Sequence, residues 1–557
     1  MNEVTITNIF WRRTYLFIEF ESNKDVELSI VQTRRNKTTE ELEIKKQHIL
    51  ETKKLENNKY RSKINITIAE GRQLLDRGKW TFIYDNDLDN VPKISDDILF
   101  HIEEFSKAFP YTGKFYAYVL FFNICKKIDQ ENMIESYSLS MHSLYYRKNF
   151  NPYKRQWSEV RNARSLKSFI HKISIRVAKK LLNAYYQVIS RILPKNGKRI
   201  LFMSENRECI MDNLKAIDTR MKERGLDKEY KISYSFRNIF KSKMQNPFSW
   251  LVTITKIAKQ DYIFVDDYVP VFSFLNLNKK TTLTQVWHAG FGFKLVGFGR
   301  FGIDGSPHPV ESCHRKYTYG LVGNNNLKEI YSEVWGIEKE SLLATGMPRL
   351  EHFLDKDVQD KAKEKLYSDH PEFKGKKIIN FAPTYRGSNQ YNAYYDYSKL
   401  DFDRLSDFCK KNNAIILFSR HHFLTEELPL TEENKKYIFD ISNYSLNDTF
   451  YITDILVTDY SSCFYDFLLL KRPVIFYTYD LATYSATRGV HRPVKKVAPG
   501  PICETFDELL NELEKANNNN FEIKNFLIDK CVSNDQLASD KAIDYIILHK
   551  DVNDLWK

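Results

Sequence analysis

The sequence predicts an α/β protein in which two Rossmann-like domains face a cleft, preceded by a small β-sandwich-like N-terminal domain and a basic amphipathic helix. Three observations predict this. Strand-like segments fill the first ninety residues, an acid-free stretch shows helical periodicity, and two series of short apolar strands then alternate with helix-forming segments. The 557 residues are 42% hydrophobic and 28% charged, which indicates three or four folded domains and excludes a disordered chain.

Cysteine usage and hydropathy indicate the compartment. The seven cysteines are scattered without a C-x-x-C pair, so we expect neither a disulfide framework nor a structural zinc site, and a reducing cytoplasm fits best. The longest apolar run, residues 115–125, is far shorter than the roughly 20 residues that a spanning helix needs. Residues 1–8 are polar and mildly acidic, so we expect no signal peptide.

Residues 1–150 predict a β-rich accessory domain. Segments of β-branched and aromatic residues alternate with charged or turn-forming segments, which is typical of short strands. The predicted strands are residues 15–20, 26–31, 64–69 and 80–84. Residues 91–150, rich in Tyr and Phe, either continue this domain or form a second β unit. Neither part contains a catalytic constellation.

Residues 151–197 predict a basic amphipathic linker helix. Between residues 160 and 204 the chain has 11 Lys and Arg residues and no Asp or Glu. Apolar residues recur there at spacings of three and four, the period of one helix face. These residues are Leu166, Ile170, Ile173, Val177, Leu181, Ala184, Val188 and Ile192.

This helix has three interpretations. It can lie on an anionic membrane surface, with its apolar face in the acyl boundary and Lys172, Arg176, Lys179 and Lys180 over the headgroups. It can instead be a connector helix whose apolar face packs on the next domain. Nucleic-acid binding is weaker, because no recognition motif accompanies the basic residues. We favour the membrane or polyanion interpretation, because solubility alone does not require so long a stretch without acids.

Two series of predicted strands follow the helix. The first series is residues 199–203, 231–236, 262–265, 282–288, 317–322 and 342–345, and the second is residues 378–382, 415–418, 438–441, 455–458 and 474–477. Two successive βα series imply two parallel-sheet domains, which we place at residues 198–370 and 371–557. In such domains a ligand binds at the carboxyl ends of the strands, so these ends are where we expect the site.

The segment after the strand at residues 455–458 is the most specific. Thr458, Asp459, Ser461 and Ser462 lie where a buried strand runs into the expected start of a helix. Free backbone N–H groups and the helix dipole favour a phosphate there, and the serines would add hydroxyl donors. An ordinary N-cap formed by Asp459 or Ser461 is an equally good interpretation.

A second candidate is the strand end at Trp287 and His288, which precedes a Gly-x-Gly loop that reaches Lys294. An imidazole titrates near neutrality and can take a proton from an attacking hydroxyl. An isolated His is more often structural, but this position at a strand end makes the two interpretations about equal. Lys294 is a candidate substrate contact.

Cationic side chains follow the ends of two further predicted strands. Arg386 follows the strand at residues 378–382, and Arg420 with His421 and His422 follows the next strand. Such groups can neutralise a pyrophosphate and its developing charge. Metal sites are poorly supported, since Asp85-Asn86-Asp87 lies in the β region and Asp401-Phe402-Asp403 lies in a Tyr-rich stretch without a clear preceding strand. We expect no cofactor and no structural metal, and leave a loosely bound Mg²⁺ open.

Together these segments resemble the CDP-glycerol:poly(glycerophosphate) glycerophosphotransferase family of teichoic-acid and capsule polymerases. The resemblance covers roughly residues 199–547. The segments that carry it are Trp287-His288 and residues 344–349, 382–386, 420–422, 440–477, 488–489 and 498–501. So many segments in the same order are not a chance match.

The resemblance implies a GT-B fold, with an acceptor domain at residues 198–370 and a donor domain at residues 371–557. It implies a peripheral enzyme at the cytoplasmic face of a bacterial cell membrane. That enzyme transfers an alditol phosphate from a CDP-alditol to the terminal hydroxyl of a lipid-linked polymer and releases CMP. It further implies His288 as general base, His422 and the Ser461 and Ser462 loop at the donor phosphates, and Arg488 as a substrate contact.

The chain departs from the glycerol-phosphate enzymes after His288, where residues 289–298 replace their usual Gly-Thr-Pro. With its β-rich leader it looks more like the ribitol-phosphate polymerase branch, so we favour CDP-ribitol over CDP-glycerol. The partners implied are the donor, the polyanionic acceptor and an anionic membrane, with no nucleic acid. A homo-oligomer is left open. The alternatives are a GT-B glycosyltransferase that uses a nucleotide sugar and a non-catalytic protein that binds polyanions.

Overall fold

The structure is a computed structural model. It describes residues 4–35, 41–111, 116–128, 135–145, 166–238, 247–288, 295–301, 308, 310–387, 393–421, 423–424, 426–481, 483–484, 490–491, 493–517 and 537–550. The predicted site residues Lys294, His422 and Arg488 lie outside these ranges, and nothing is described of the Lys172 side chain.

The N-terminal part of the chain is a β domain. Its strands are β1 (Thr5–Arg12), β2 (Tyr15–Glu21), β3 (Leu28–Arg35), β4 (Leu42–Ile49), β5 (Glu51–Lys54), β6 (Lys59–Asn65), β7 (Gly78–Tyr84), β8 (Lys93–Ile94), β9 (Lys107–Tyr111), β10 (Tyr116–Ile128) and β11 (Glu135–Tyr145). A short helix, α1 (Asp96–His101), follows β8. Side chains of both halves of the domain fill one core, which includes Leu16, Phe20, Trp80 and Tyr118.

The described strands form one eleven-stranded sheet, whereas a sandwich would have two. Strand β11 pairs with β7, so the region after residue 91 continues the first β unit. The strand predicted at residues 64–69 lies earlier in the chain, as β6 at Lys59–Asn65. Its pairing with β2 ends at Asn65, which lies opposite Tyr15. The chain turns beyond that pair.

Helix α2 (Leu166–Ile192) has two apolar faces. Leu182, Tyr185, Tyr186 and Ile189 pack against the core of the domain that follows. The face identified from the periodicity is uncovered, with exposures of 48–66% at Ile170, Val177, Leu181, Val188 and Ile192. Arg176 is buried, so its predicted place over lipid headgroups is wrong.

The first α/β domain has a seven-stranded sheet in the order β13-β14-β12-β15-β16-β17-β18. Its strands are β12 (Arg199–Ser204), β13 (Asn206–Arg207), β14 (Lys231–Asn238), β15 (Tyr262–Val265), β16 (Thr282–Gln285), β17 (Tyr319–Leu321) and β18 (Leu342–Leu343). Its helices are α3 (Asp212–Glu223), α4 (Pro247–Lys259) and α5 (Lys328–Trp335). All neighbouring strands are parallel except the β13–β14 pair.

The second α/β domain has a six-stranded parallel sheet in the order β21-β20-β19-β22-β23-β24. Its strands are β19 (Lys377–Ala382), β20 (Ala414–Phe418), β21 (Ile438–Asp440), β22 (Ile455–Thr458), β23 (Val474–Tyr477) and β24 (Ile502–Cys503). Helices α6 (Lys356–Asp369), α7 (Phe402–Lys411), α8 (Leu446–Phe450), α9 (Cys463–Phe467), α10 (Val494–Val497) and α11 (Phe506–Asn517) belong to it. Leu366 of α6 packs with Ile415 and Leu417 of β20, so this domain begins before residue 371, where we predicted its start. The strand order reverses between β19 and β22, which is where open α/β sheets bind ligands.

The last helix, α12 (Ala538–Ile546), departs from the predicted boundary. It packs on the first α/β domain, where Ile543 and Ile546 share a core with Leu214 and Ile217 of α3. Arg224 donates to both Asp540 and Asp544 across this contact. The chain therefore returns to its first α/β domain, although we predicted that residues 371–557 form only the second. Among the described helices, none is long and apolar enough to cross a bilayer.

Candidate active site

His288 lies just beyond β16, held by an unusual backbone. Trp287 has a φ of +52°, a left-handed conformation that is unfavourable for a bulky residue. Two side chains hold the Trp287 backbone in this conformation. The Trp287 N–H donates to Gln285 Oε1 at 2.9 Å, and Asn213 Nδ2 donates to the Trp287 carbonyl at 2.6 Å. The left-handed turn also explains why β16 ends at Gln285, three residues before the predicted end.

The imidazole of His288 is half-buried and oriented by two contacts. Its ring stacks on Trp287 with 4.6 Å between centroids, and its Nδ1 lies 3.2 Å from the carbonyl oxygen of Asp266. A carbonyl only accepts, so Nδ1 carries the proton when this bond forms. The neutral ring then has a lone pair on Nε2, as a general base requires.

A buried carboxylate follows β15 next to this histidine. Burial raises the pKa of Asp266, while a hydrogen bond from Ser204 and the charges of Arg207 and His288 act in the opposite direction. Arg207 Nε lies 3.2 Å from Asp266 and its Nη1 lies 2.6 Å from Asp212. At the strand ends of the first sheet, the imidazole of His288 thus lies close to Asp266, whose carboxylate forms an ion pair with Arg207.

In the second domain, Asp459 joins the two strands at the point where the order reverses. Its Oδ1 accepts from the Thr384 N–H at 2.8 Å and its Oδ2 accepts from Arg386 Nη1 at 2.6 Å. Thr458 Oγ1 donates to the carbonyl of Ala382 at 2.8 Å. Both predicted residues therefore fasten the serine loop to the end of β19.

The serines themselves are half-buried. Ser461 Oγ accepts from the Cys463 N–H at 3.3 Å, so it satisfies an N–H of the first turn of α9, but Ser461 lies one residue before the N-cap position and its predicted N-cap role is wrong. The N-cap position of α9 is Ser462, whose side chain makes no capping hydrogen bond. Asp459, the other capping candidate, instead bonds to Thr384 and Arg386.

Arg386 is buried among carboxylates and rings. Besides Asp459, it donates to Asp480 through Nε at 2.8 Å and Nη2 at 2.7 Å. Four tyrosine rings surround it at 5.1–5.5 Å, those of Tyr395, Tyr460, Tyr479 and Tyr484. The guanidinium of Arg386 thus already bonds to two carboxylates, and through Asp459 it holds the serine loop in place. A direct contact between Arg386 and a phosphate stays a prediction.

Arg420 has a similar setting after β20. Its Nε donates to Asp440 at 2.8 Å, and its Nη1 donates to the carbonyls of Leu424, at 3.3 Å, and Glu426. These bonds brace the segment that contains the histidine pair. The ring of His421 packs at 4.7 Å on Tyr385, so the ends of β19 and β20 meet there. The role of His422 at the donor phosphates stays a prediction.

Contacts through Asn213 and Arg349 link the two predicted halves of the site. Asn213 Nδ2 donates to Trp287, and its Oδ1 accepts from the Arg349 N–H at 2.8 Å. The Arg349 guanidinium then donates to Asp466 of α9 at 2.5 and 2.8 Å. The His288 strand end and the helix after the serine loop are thus tied together. Arg349 lies in residues 344–349, one of the segments that carry the family resemblance, but the resemblance implied no role for it. No motif in the sequence includes Asn213.

A cavity of about 970 Å³ runs alongside Arg349. Its lining residues include Lys215 of α3, Arg349 and His352, and Asn447 and Asp448 of the second domain. None of the predicted site residues is among the described residues that line it. This size suits a small organic ligand. Within the described residues no group of three His, Cys, Asp or Glu side chains is arranged to hold a metal ion. The loosely bound Mg²⁺ stays a prediction.

Comparison with known proteins identifies the family. A model described as CDP-Glycerol:Poly(glycerophosphate) glycerophosphotransferase matches residues 185–548. The chain is 30% identical to the teichoic acid ribitol-phosphate polymerase TarL of Staphylococcus aureus, over 92% of this chain and 93% of that protein. It is 29% identical to TarK of the same organism, also named a teichoic acid ribitol-phosphate polymerase, over 85% and 94%.

A solved structure shares the fold. The wall teichoic acid polymerase TagF matches with a TM-score of 0.51 and 22% identity, over 73% of this chain and 100% of that chain. This likeness supports the α/β fold with its two parallel-sheet domains, and the matches in sequence confirm the resemblance that the motifs indicated. The chain belongs to the CDP-glycerol:poly(glycerophosphate) glycerophosphotransferase family.

Proposed function

We infer that this chain transfers an alditol phosphate from a CDP-alditol to the terminal hydroxyl of a lipid-linked teichoic acid or capsule polymer, with release of CMP. Membership of the family supports the reaction class. Ribitol phosphate is favoured over glycerol phosphate, because two relatives named ribitol-phosphate polymerases match 92% and 85% of the chain, and the 92% match must include most of the β domain.

The orientation of His288 is the observation that carries the chemistry. With Nδ1 bonded to the Asp266 carbonyl, Nε2 takes the proton of the acceptor hydroxyl as its oxygen attacks the alditol-linked phosphorus. The new P–O bond forms as the bond from that phosphorus to the bridging oxygen breaks, and CMP leaves with the electron pair. Gln285 and Asn213 keep the strand end rigid.

The donor side relies on fixed loops. Hydroxyls of Ser461 and Ser462 are the groups that we assign to the diphosphate, with His422, Lys294 and Arg488 as further contacts. Asp459 and Arg386 hold the serine loop, and Arg420 holds the segment around the histidine pair. Fixed geometry of this kind lowers the barrier, because little reorganisation is needed during reaction.

An assay of nucleotide release from the purified protein, which detects both CMP and UDP, tests the function. CDP-ribitol, CDP-glycerol and a UDP-sugar are compared on one lipid-linked primer preparation. We expect CMP from CDP-ribitol and less from CDP-glycerol. Transfer from the UDP-sugar alone would establish a conventional glycosyltransferase, and no release from any donor would favour a polyanion-binding protein without catalysis.

We also propose that α2 holds the enzyme on an anionic membrane surface at the cytoplasmic face. The exposed apolar face of α2 supports this, because the helix packs on the α/β domain through a different face. Lys179 and Lys180 are exposed on the same helix. Beyond its end, a cavity of about 500 Å³ is lined by Arg199, Lys231, Lys256 and Lys259, with no acid among its lining residues. A positive surface beside an apolar one suits anionic headgroups.

A further inference from the structure

The segment that follows the His288 loop is anchored in the β domain. Phe298 and Phe301 are almost fully buried in that domain's core. The ring of Phe301 stacks on Phe109 of β9 with 5.3 Å between centroids. Two large side chains from the α/β domain therefore complete a core that otherwise belongs to the β domain.

The same segment presses against α5 on its other side. Gly297 has a φ of +51°, and a Cβ there would lie 2.1 Å from the carbonyl oxygen of Val334. At Gly336 a Cβ would lie 2.9 Å from the ring of Phe298. A larger residue at Gly297 would require movement of the backbone, and a larger residue at Gly336 would displace the Phe298 ring. Residues 295–301 are thus clamped between the β domain and α5.

One buried carboxylate on α5 joins all three domains. Glu333, 1% exposed, accepts from Arg13 Nε at 2.9 Å and Nη2 at 2.8 Å. Arg13 lies in the turn between β1 and β2, and Thr14 beside it donates to the same carboxylate at 3.2 Å. His491 of the second α/β domain lies 3.0 Å from it through Nε2. We call Arg13, Thr14, Glu333 and His491 the Glu333 junction.

Arg13 also contacts the second α/β domain directly. Its Nη1 donates to the carbonyl of His491 at 2.8 Å. His491 in turn lies close to the clamped segment, since a Cβ on Gly299 would be 3.8 Å from its ring. The junction and the phenylalanine anchor therefore meet around residues 297–301, shortly after the loop that begins at His288.

We propose that the β domain is a positioning element of the active site, in which Arg13 and the Phe298 and Phe301 anchor fix residues 295–301 and align the two α/β domains. This inference rests on the proposed function, and gives the β domain a role in turnover beyond stability. Arg13 is a positioning residue, since it acts through Glu333 and His491. Displacement of reacting groups by about 1 Å is enough to cost two orders of magnitude in rate.

The test compares Arg13→Ala with Arg72→Ala. Arg72 is a matched control, because its guanidinium also joins the β domain to the first α/β domain through Glu338, Ser341 and the carbonyls of Arg315 and Tyr317. It contacts no member of the Glu333 junction among the described residues. Both variants are measured for CMP release from CDP-ribitol, thermal unfolding and amide hydrogen exchange.

We expect kcat of Arg13→Ala to fall about 10- to 100-fold while its KM for CDP-ribitol changes little, because the donor contacts are intact. Arg72→Ala should lose a similar amount of thermal stability and keep its kcat. Arg13→Lys, which retains the charge, should recover part of the loss. Amides of residues 296–301 should exchange faster in Arg13→Ala only.

Equal kcat values for both variants, with unchanged exchange at residues 296–301, would overturn the inference and leave the β domain a stabilising role alone. The proposed function fails separately, if the unaltered protein releases no CMP. Hydrogen exchange still decides in that case whether Arg13 holds residues 296–301 in place, because it does not depend on turnover.

Discussion

Arg349 and Asp466 form a buried, two-bonded ion pair between the segment that enters the second α/β domain and the helix after the serine loop. The two hydrogen bonds are 2.5 and 2.8 Å long, and the side chains are 11% and 6% exposed. Burial opposes the charge of Arg349, but the Asp466 carboxylate keeps the pKa of the guanidinium raised. The pair also carries the connection to Asn213 and thus to His288.

Removal of one partner should be costly. Arg349→Ala leaves a buried carboxylate unpaired, and we expect the free energy of unfolding to fall by about 3 kcal/mol. The exposed pair of Arg404 and Asp507, at 50% and 79% exposure, is the control and should lose less than about 1 kcal/mol in Arg404→Ala. Urea titration of both variants measures this, and equal losses would contradict the assignment.

His288→Ala tests the general base. A positioned base contributes about 10²- to 10⁴-fold, so kcat should fall by that factor while the thermal unfolding temperature stays near that of the unaltered protein. His370→Ala, a change in a half-buried histidine whose Nδ1 lies 3.0 Å from the carboxylate of nearby Glu372, is the control. Full turnover by His288→Ala would show that another group takes the proton.

The two serines should separate binding from capping. Loss of a hydrogen bond to a charged phosphate costs about 1.5–3 kcal/mol, so Ser462→Ala should raise the KM for CDP-ribitol at least about tenfold with little change in stability. Ser461→Ala should in addition lower stability by about 1 kcal/mol, because it removes the acceptor of the Cys463 N–H. Unchanged KM values in both variants would remove the serines from the donor site.

Membrane attachment has two separable contributions. Leu181→Glu with Val188→Glu should abolish sedimentation with anionic liposomes, since both side chains are exposed apolar groups. Lys179→Glu with Lys180→Glu should weaken it about tenfold or more, with a strong dependence on salt. Reversal of the exposed Lys361 and Lys365 of α6 is the control. If all of these variants sedimented with the liposomes as the unaltered protein does, the proposal would be refuted.

The Glu333 junction predicts an acid-sensitive contribution to stability. Burial would raise the pKa of Glu333, but hydrogen bonds and charge from His491 and Arg13 lower it from an ordinary 4.5 to about 2. A lowered pKa in the folded state stabilises the fold above about pH 4.5, and this stabilisation is lost as the pH falls toward 2. The melting temperature of the unaltered protein should therefore fall more steeply over this range than that of Glu333→Gln.

The elements of both α/β domains were predictable because buried parallel strands are short apolar runs, and polar side chains at their ends stand out. The ion pairs between residues far apart in the sequence were not predictable. Arg386 bonds to carboxylates 73 and 94 residues away, and Arg13 to one 320 residues away. The sequence shows a cation at each position and gives no sign that it is already neutralised.

Helix α2 shows a different limit. Periodicity found one apolar face, yet Leu182, Tyr186 and Ile189 also recur at spacings of three and four and form a second. Spacing alone does not distinguish a face that packs on protein from one that stays uncovered. Only the position of the neighbouring domain decides between them.

The return of α12 to the first α/β domain has a consequence for fragments of this protein. A chain that stopped after α11 would lack the apolar cover that Ile543 and Ile546 give to Leu214 and Ile217, and Arg224 would lose both of its acidic partners on α12. Shortening the C-terminus should therefore unfold the lobe that carries His288 before the lobe from which residues were removed.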